Sequence, residues 1–415
     1  MINVPAAPAD VRALGFDPDR LAQVDRFLES EYVRPGRLPG VQLLIARDGR
    51  PVHFSSLGQA RADGTPVRAD TIFRIASMTK PITSVGFMML AEEAQVGLDT
   101  PVGAIIPELA EVGVYDGGGG GTPFRVKPVA RPMLMLDLLR HTSGLTYDFQ
   151  YRSNVDAAYR AAKLVTLRDP HTLETFAAEL GRLPLEFSPG EAWNYSVSTD
   201  ILGLVVERVS GQSLAEFLQA RIFAPLGMVD TGFEVPAEKR ERLGDCWRLD
   251  PHKGRVMFDA AAQSSWAEPP TMLSGGGGLV STTADYHRFC QMLVGNGALE
   301  GVRLISPKTL QLMTRNHLPG GADLTSLSRS LFSEAGYAGQ GFGLGFGINI
   351  DPALAMVPGS VGEFYWGGLF STFFFVDPAE GVHMVFMTQL MPSSAYPVRR
   401  QLRTLVYSAL AESRV

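Results

Sequence analysis

Cysteine and paired metal ligands are scarce in this sequence. Only Cys246 and Cys290 occur among 415 residues, and neither lies in a Cys-x-x-Cys or other metal-ligand spacing. Two ordinary buried thiols are therefore expected instead of a disulfide framework or a zinc site. No two of the seven histidines have the His-x-x-x-His spacing of a zinc hydrolase. We predict that the protein uses no metal and no cofactor.

An excess of charge of one sign is also absent. The net charge is −6 and the isoelectric point is near 5.7, so neither nucleic acid nor an anionic membrane is expected as a partner. No apolar run approaches the ~18 residues that span a bilayer. The N-terminal residues lack the apolar stretch of a secretory signal. We predict a cytoplasmic protein that binds a small molecule, and the sequence leaves its oligomeric state open.

Strand and helix patterns lie near both ends of the chain. Apolar side chains recur with helical spacing over residues 18–33, and Asp17 and Pro18 suit a helix start. Two apolar segments flank Asp48-Gly49, which is a strong hairpin signal. We predict one antiparallel sheet completed by both chain ends and flanked by two terminal helices. The predicted strands are 41–46, 51–54, 345–350, 371–376 and 382–390, and the C-terminal helix is 396–412.

The middle of the chain has mainly helical patterns separated by glycine runs. The five glycines at 117–121 predict a flexible surface loop, because a phosphate loop requires a following Gly-Lys-Ser/Thr. We predict an α+β fold in which residues 1–80 and 330–415 form a discontinuous sheet domain. Residues 81–329 form an all-α insertion, with the catalytic cleft between the two. The predicted helices are 81–97, 134–140, 171–180, 198–210, 213–222, 283–295 and 306–315.

Ser77 is the only serine that is followed by a lysine three residues later. In a helix that starts near Ser77, the side chains of Ser77 and Lys80 share one face. A serine hydroxyl needs a nearby base, and a lysine can be that base where apolar burial favours its neutral form. The helix N-terminus would also direct N–H groups at an oxyanion. A solvated helix face is the alternative for such a pair.

Several motifs together identify a family. Residues 71–83 (TIFRIASMTKPIT) resemble the active-site segment of the serine β-lactamase and penicillin-binding-protein superfamily. Within it the chain is most similar to the class C β-lactamase-like esterases, the family VIII carboxylesterases, over most of its length. The resemblance implies a β-lactamase-like fold and a serine hydrolase that forms an acyl-enzyme on Ser77. Further matching segments are 138–145 (LLRHTSGL), 189–191 (PGE), 225–228 (PLGM) and 274–282 (SGGGGLVST).

The second motif of that superfamily, Tyr-x-Asn or Ser-x-Asn, matches residues 195–197. By this resemblance Tyr195 acts with Lys80 as the base system, or relays a proton to the leaving group. A packing role is the alternative for a tyrosine in such a loop. The last position is Val197, where lactamases have an asparagine that holds the amide side chain of the substrate. This departure argues against a dedicated β-lactamase.

The third family motif, Lys-Thr-Gly, is absent. At the equivalent place stand Trp366, Gly367, Gly368 and Leu369, a pattern typical of the esterase branch. By the family pattern, the backbone N–H of Leu369 joins that of Ser77 as the oxyanion hole, and the two glycines allow the strand to approach the substrate. Trp366 replaces a cation that would bind a carboxylate, which favours neutral acyl substrates. A rim aromatic without substrate contact is the alternative for Trp366.

These assignments predict a serine carboxylesterase that hydrolyses short-chain carboxylic esters through a Ser77 acyl-enzyme, with Lys80 and Tyr195 as the base system. An acyltransferase, or a weak β-lactamase or D-amino-acid amidase acting on a lactam or amide, is the alternative on the same machinery. A catalytically silent binding module is the alternative of another class. The joint presence of the three catalytic side chains argues against it.

The sequence contains other candidate site residues. No Gly-x-Ser-x-Gly elbow is present, so a Ser-His-Asp triad is disfavoured. His141 lies in one of the shared segments, and a structural role in that loop is expected for it. Loop positions place Tyr147, Phe149 and Phe342 near the walls of the pocket.

Overall fold

The strands of the central sheet come from the two ends of the chain. The computed structural model describes residues 8–164, 167–168, 170–329 and 338–415, and the predicted domain boundary at residue 330 lies outside them. In chain order the strands are β1 (Gly40–Arg47), β2 (Arg50–Gly58), β3 (Phe73–Arg74), β4 (Val114–Gly119), β5 (Thr122–Lys127), β6 (Cys246–Asp250), β7 (Gly254–Asp259), β8 (Val280–Ser281), β9 (Ala298–Leu299), β10 (Val302–Arg303), β11 (Gln340–Phe342), β12 (Gly347–Asn349), β13 (Phe364–Gly367), β14 (Phe373–Asp377), β15 (Val382–Met387) and β16 (Leu390–Met391).

Helices dominate the middle of the chain, and each helix predicted between residues 81 and 315 is present. The α-helices are α1 (Pro8–Ala13), α2 (Pro18–Phe27), α3 (Thr79–Glu92), α4 (Val102–Ile105), α5 (Met135–Leu139), α6 (Asn154–Ala161), α7 (Leu173–Leu180), α8 (Ser198–Ser210), α9 (Leu214–Leu218), α10 (Ala224–Leu226), α11 (Thr283–Val294), α12 (Pro307–Met313), α13 (Leu324–Leu327), α14 (Pro352–Ala355) and α15 (Val398–Ala409). The π turns Leu28–Val33 and Gln219–Phe223 continue α2 and α9. Short 3₁₀ turns lie at Ala76–Met78, Pro107–Leu109, Asp148–Gln150, Ala237–Arg242, Ala261–Gln263, Ser265–Ala267, Pro319–Gly321 and Ser393–Ala395.

Seven strands form one antiparallel sheet in the order β11-β12-β13-β14-β15-β1-β2. β1 pairs with β2 across the predicted hairpin and with β15 on its other edge, where Leu44 lies opposite Val385. β14 and β15 pair on either side of a tight turn, with Asp377 opposite Val382. The prediction that both chain ends complete a single sheet is therefore confirmed.

Two apolar cores lie on opposite faces of this sheet. Successive side chains of a strand point to opposite faces, so a strand that is buried on both sides reads as a continuous apolar run. Side chains facing the terminal helices are Leu43, Ile45, Phe373 and Phe375, and those facing the inner helical region are Leu44, Ala46, Phe374 and Val376. The apolar runs at both ends of the sequence follow from this double burial.

The terminal helices cover one face of the sheet. α2 and α15 pack against each other, with Leu21 of α2 and Leu402 of α15 buried in the same core. The Asp17 side chain accepts a hydrogen bond from the N–H of Asp19 (2.8 Å) and caps α2, as the sequence predicts. On the other face α11 packs against β1, β14 and β15, while α3 packs against α8. The turn Ala76–Met78, which leads into α3, contacts β13.

The five-glycine run belongs to a hairpin, which corrects the prediction of a flexible loop. β4 pairs with β5, and Gly119 lies opposite Thr122. All five glycines have positive φ, and a Cβ on Gly118 would lie 2.1 Å from the carbonyl oxygen of Pro123. Glycine has a low strand propensity, so a run of glycines predicts a loop. In this hairpin the positive φ angles and close backbone contacts favour glycine instead. A second hairpin, β6–β7, also lies in the mainly helical region and pairs through β6 with β16.

The two cysteines are buried free thiols, as predicted. Burial raises the pKa of the Cys246 thiol to about 12, so this thiol is unreactive. In the part of the chain that the structure describes, no helix is long and apolar enough to cross a membrane. The same residues include no cluster of three or more His, Cys, Asp or Glu side chains placed to hold a metal ion.

Candidate active site

A tight turn between β3 and α3 carries Ser77. The 3₁₀ turn Ala76–Met78 leads directly into α3, and Ala76 has a positive φ of 43°. The N–H of Ile75 donates a hydrogen bond to the carbonyl of Leu279 (3.1 Å), which ties the turn to the glycine-rich segment. Non-glycine residues with positive φ are costly and occur where the surrounding structure imposes them, often at functional sites. The half-buried Ser77 hydroxyl thus lies at the start of a helix, as the sequence predicts.

Lys80 lies one turn after Ser77 and is almost completely buried, with 1% of its surface exposed. Its Nζ donates hydrogen bonds to Ser77 Oγ (3.2 Å) and to the carbonyl of Gly276 (2.6 Å). The same nitrogen lies 4.7 Å from the centroid of the Tyr195 ring and 5.4 Å from that of Tyr147. The direct contact between Nζ and Oγ is the geometry that proton transfer between the two side chains requires.

Asp200, in the first turn of α8, holds the glycine-rich segment against Lys80. Its Oδ1 accepts hydrogen bonds from Ser274 Oγ (2.5 Å) and from the N–H of Gly276 (3.1 Å). A Cβ at position 276 would lie 2.5 Å from Asp200 Oδ2, so a side chain there would displace this carboxylate. Asp200 carries no signal in the sequence, because the partners of its carboxylate lie 74 and 76 residues away in the chain.

Tyr195 lies in the loop before α8 and is buried beside Lys80. Its carbonyl accepts a hydrogen bond from Gln150 Nε2 (2.6 Å), and its ring centroid lies 5.2 Å from that of Tyr147 and 5.4 Å from that of Trp366. Burial, together with the neighbouring Tyr195 side chain, raises the pKa of Tyr147 well above its usual range. Tyr147 is therefore a neutral phenol that donates or accepts hydrogen bonds next to Tyr195.

His141 packs behind Tyr195, with 4.9 Å between the two ring centroids. Complete burial, and then the charge of Lys80, lowers the pKa of His141 well below its usual range. Its Nδ1 lies 3.2 Å from Ser196 Oγ, which is itself 2.7 Å from Ser198 Oγ. The His141 ring is therefore neutral and buried, and its Nδ1 is hydrogen-bonded to a hydroxyl. This arrangement supports the expected structural role of His141.

The end of β13 approaches the backbone just before Ser77. A Cβ on Gly368 would lie 2.3 Å from the carbonyl oxygen of Ile75, so no larger residue fits at position 368. The Thr372 hydroxyl also donates to that carbonyl (3.3 Å). Leu369, half-buried, follows immediately. The predicted oxyanion segment and the Ser77 turn are thus in direct contact, although they are almost 300 residues apart in the chain (|i−j| = 297 for Thr372 and Ile75).

Trp366 lies in β13, just before Gly367 and Gly368, and its indole is half-buried. Its ring centroid lies 5.2 Å from that of Phe342, in addition to its contact with Tyr195. The indole Nε1 is buried and has no hydrogen-bond partner among the described residues. Packing on two sides fixes the indole plane.

These residues share one open cleft with an empty volume of about 1160 Å³, its mouth included. Ser77, Tyr195 and the segment 366–369 line it. Tyr147 and Phe149 also line it, with their rings stacked 4.7 Å apart, as predicted. Phe342, on the edge strand β11, does not line the cleft and is instead buried against the rings of Trp193 and Trp366. Three arginines of α15 also line the cleft, and no motif in the sequence marks them: Arg399, Arg400 and Arg403.

Val197 lies outside the cleft. Its side chain is completely buried in the inner core, and its N–H donates to the carbonyl of Thr146 (3.3 Å). The position that carries a substrate-binding asparagine in lactamases is therefore a packing position in this chain.

Comparison with known proteins agrees with the geometry. The model of the Beta-lactamase family matches residues 26–408. An uncharacterized protein of Mycobacterium tuberculosis is 35% identical over 87% of this chain and 88% of that protein. Esterase EstB of Burkholderia gladioli is 31% identical over 97% of this chain and 99% of that protein. The structure of EstCE1, a hydrolase with promiscuous acyltransferase activity, superimposes with a TM-score of 0.76 at 25% identity, over 97% of this chain and 100% of that one. The chain therefore belongs to the Beta-lactamase family and is a serine hydrolase with a β-lactamase-like fold.

Proposed function

We propose that this protein is a serine carboxylesterase that hydrolyses short-chain carboxylic esters through an acyl-enzyme on Ser77. The observation that carries the proposal is the hydrogen bond between Lys80 Nζ and Ser77 Oγ (3.2 Å) at the wall of the cleft, with the Tyr195 ring against the same nitrogen. The similarity to Esterase EstB over almost the whole chain supports ester substrates.

The first step is attack of Ser77 Oγ on the ester carbonyl carbon. Lys80, acting with Tyr195, takes the hydroxyl proton as the O–C bond forms, and the carbonyl π electrons move onto oxygen. The resulting tetrahedral oxyanion lies at the start of α3. The backbone N–H groups of Ser77 and Leu369 would stabilise it. Neither N–H donates to a backbone carbonyl among the described residues, which supports this assignment.

Collapse of the tetrahedral species expels the alcohol. Tyr195 passes the proton taken from Ser77 to the departing oxygen, so the alcohol leaves neutral and the acyl group stays on Oγ. A water molecule then repeats the sequence. It gives its proton to the same base system, attacks the acyl carbon and releases the carboxylic acid, while Oγ regains its proton.

Two features favour esters over β-lactams. Val197 is part of the core, so no side chain at this position reaches out to hold a substrate amide. Trp366 lines the cleft at the place where the lactamase pattern has a cation, and an indole does not pair with the substrate carboxylate. A chromogenic cephalosporin should therefore be turned over weakly at most.

The nucleophile is tested by intact-mass analysis after treatment with a fluorophosphonate. We expect a single adduct that maps to Ser77, no adduct in Ser77→Ala, and full labelling in the control Ser408→Ala, which changes an exposed serine. Unchanged labelling of Ser77→Ala would contradict the proposal. Among p-nitrophenyl esters of acetate, butyrate and octanoate, kcat/KM should be highest for the shorter chains. A maximum for octanoate would contradict the short-chain assignment.

Acyl transfer to an alcohol is the second candidate. An aromatic and apolar wall surrounds Ser77, including Tyr147, Phe149 and Leu369, and such a wall favours an organic acceptor over water. The similarity to a hydrolase with promiscuous acyltransferase activity also supports it. Product analysis with a p-nitrophenyl ester and increasing butanol decides between the two. A new ester as the main product at low butanol would favour transfer, and release of free acid throughout would favour hydrolysis.

A further inference from the structure

The guanidinium of Arg399 contacts the peptide unit that follows the second glycine of the Trp-Gly-Gly segment. Its Nη2 donates a hydrogen bond to the carbonyl oxygen of Gly368 at 2.7 Å. That carbonyl also accepts from the N–H of Ser371 (3.0 Å), so both of its lone pairs are used. Hydrogen bonds from a charged donor are shorter and about twice as strong as neutral ones.

The carbonyl of Gly368 and the N–H of Leu369 belong to one peptide group. Resonance couples the two ends of that group, so a cation on the oxygen withdraws electron density from the nitrogen. The N–H then becomes a stronger donor, as in a polarised chain of hydrogen bonds. The same contact fixes the plane of the peptide and the direction in which the N–H points.

We propose that Arg399 is a positioning residue of the oxyanion hole, which it orients and polarises through the Gly368–Leu369 peptide. This inference rests on the proposed function, in which the Leu369 N–H binds the oxyanion. Arg399 does not touch the reacting atoms itself and acts through the backbone.

The packing around Arg399 supports the assignment. A Cβ at position 367 would lie 2.5 Å from the central carbon of the guanidinium, which therefore lies directly on the backbone of Gly367. The guanidinium also lies 5.6 Å from the centroid of the Phe373 ring. The first glycine of the segment thus makes room for Arg399, whereas the second allows the contact with the Ser77 turn.

The two other arginines of α15 that line the cleft have different contacts. Arg400 donates to the carbonyl of Met356 (2.8 Å), and Arg403 forms an ion pair with Glu363. Arg400 is next to Arg399 on α15 and also lines the cleft. Arg400 is therefore a matched control for the loss of one positive charge from the part of α15 that lines the cleft.

The test compares Arg399→Met, Arg399→Lys and Arg400→Met with the unchanged enzyme. Removal of one oxyanion-hole donor costs 10²–10³ in kcat, and weakening such a donor should cost less, about tenfold in Arg399→Met. We expect KM to stay within about twofold, because the effect arises in the transition state. Arg399→Lys keeps the charge and should recover part of the loss, and Arg400→Met should keep its kcat within about twofold.

A spectroscopic measurement separates this role from a merely structural one. In the fluorophosphonate adduct of Ser77, the phosphoryl oxygen occupies the place of the oxyanion, and weaker hydrogen bonding raises its P=O stretching frequency. Infrared difference spectra should show a shift to higher wavenumber in Arg399→Met and no shift in Arg400→Met.

Three outcomes are distinguishable. Absence of an adduct on Ser77 in the unchanged enzyme would contradict the proposed function itself. An adduct whose band is the same in the unchanged enzyme and Arg399→Met would overturn the role of Arg399 alone. If Arg399→Met does not fold, Gly367→Ala keeps the cation but displaces it from Gly368, and the same shift is expected there.

Discussion

Two basic side chains of this protein, Lys80 and Arg403, are buried to a similar degree but have different surroundings. Lys80 is 1% exposed, and its Nζ contacts a hydroxyl, a carbonyl and two aromatic rings. Arg403 is 6% exposed and forms an ion pair with Glu363 (2.5 Å between Nη2 and Oε1). Among the described residues, no carboxylate forms a comparable pair with Lys80. The first arrangement leaves a nitrogen ready for proton transfer, whereas the second neutralises a charge within a packed layer.

The surroundings of Arg403 form a closed polar cluster under α15. The Tyr407 hydroxyl lies 2.5 Å from Glu363 Oε2 and 2.7 Å from Asp377 Oδ2. A hydroxyl has one proton, so it can donate to only one of these carboxylates at a time. Burial raises the pKa of Glu363 to about 7, and the nearby Asp377 adds to this increase while Arg403 opposes it. We expect this cluster to support packing, whereas we propose a catalytic role for the groups around Lys80.

The largest effect is expected for Lys80→Met. Loss of the group that takes the proton from Ser77 should lower kcat/KM for a p-nitrophenyl ester by 10³–10⁴. The free energy of unfolding should stay the same or increase, because an apolar side chain replaces a buried polar group that forms no ion pair with any described residue. Urea unfolding and steady-state kinetics check both statements. Lys308→Met changes an exposed lysine on α12 and should change neither. A marked loss of stability in Lys80→Met would mean that Lys80 is a structural residue.

Arg403→Met should show the reverse pattern. Breaking a buried ion pair leaves Glu363 uncompensated and costs about 3–5 kcal/mol of unfolding free energy. Turnover per folded molecule should fall far less than in Lys80→Met. Urea unfolding followed by tryptophan fluorescence measures the free energy of unfolding. Active-site titration with the fluorophosphonate gives the concentration of folded enzyme, to which the measured turnover is referred. Equal losses of activity in Lys80→Met and Arg403→Met would contradict the division into a catalytic Lys80 cluster and a structural Arg403 cluster.

The pH dependence of stability should reveal Glu363. Its pKa is about 7 in the folded protein against an ordinary value of 4.5, so between these values the folded state holds the extra proton. This contribution to stability is present below pH 4.5 and is lost as the pH rises through 7. The difference between 4.5 and about 7 corresponds to on the order of 3 kcal/mol.

Glu363→Gln should therefore flatten the fall in unfolding free energy between pH 5 and 8. Urea titrations at several pH values in this range measure the slope for both proteins. Glu241→Gln, at an exposed position, is the control and should retain the slope of the unchanged protein. A slope in Glu363→Gln equal to that of the unchanged protein would show that this carboxylate does not titrate there.

Asp200→Asn should have the smallest effect. The amide makes a weaker contact with Ser274 and Gly276 than the carboxylate does, and the carbonyl that holds Lys80 is less well placed. We expect a fall in kcat of about tenfold with little change in KM, since hydrogen bonds to charged groups contribute about 1.5–3 kcal/mol. Asp285→Asn is the control. Asp285 is also a buried carboxylate, in the first turn of α11, and it accepts hydrogen bonds from the N–H of Asp230 and from the hydroxyl of Thr231. This substitution should lower stability and leave kcat unchanged.

Much of the fold could be predicted from periodicity. The hairpin around Asp48-Gly49, the strands near the C-terminus and the two terminal helices are local patterns, and double burial makes the strands read as apolar runs. The five-glycine run was misread as a loop. Its glycines accommodate the positive φ and close contacts of a hairpin, and no side-chain pattern marks a strand made of glycine.

The candidate site could be predicted only in part. Ser77 and Lys80 are three residues apart, so helical geometry brings them together without any other information. Resemblance added Tyr195 and the segment 366–369. Asp200 and Arg399 escaped notice, because each acts on a backbone group far away in the chain and neither lies in a recognisable motif.

By itself the sequence determined that Ser77 and Lys80 share one face of a helix, and it predicted the strands at both ends and the helical middle of the chain, because these follow from spacing over a few residues. Only the tertiary structure decided what surrounds each charged group. Lys80 donates to a carbonyl 196 residues away in the chain, whereas Arg403 pairs with the carboxylate of Glu363, just before β13. Burial and partner are properties of the packed chain, and they separate a lysine that can transfer a proton from an arginine that stabilises a fold.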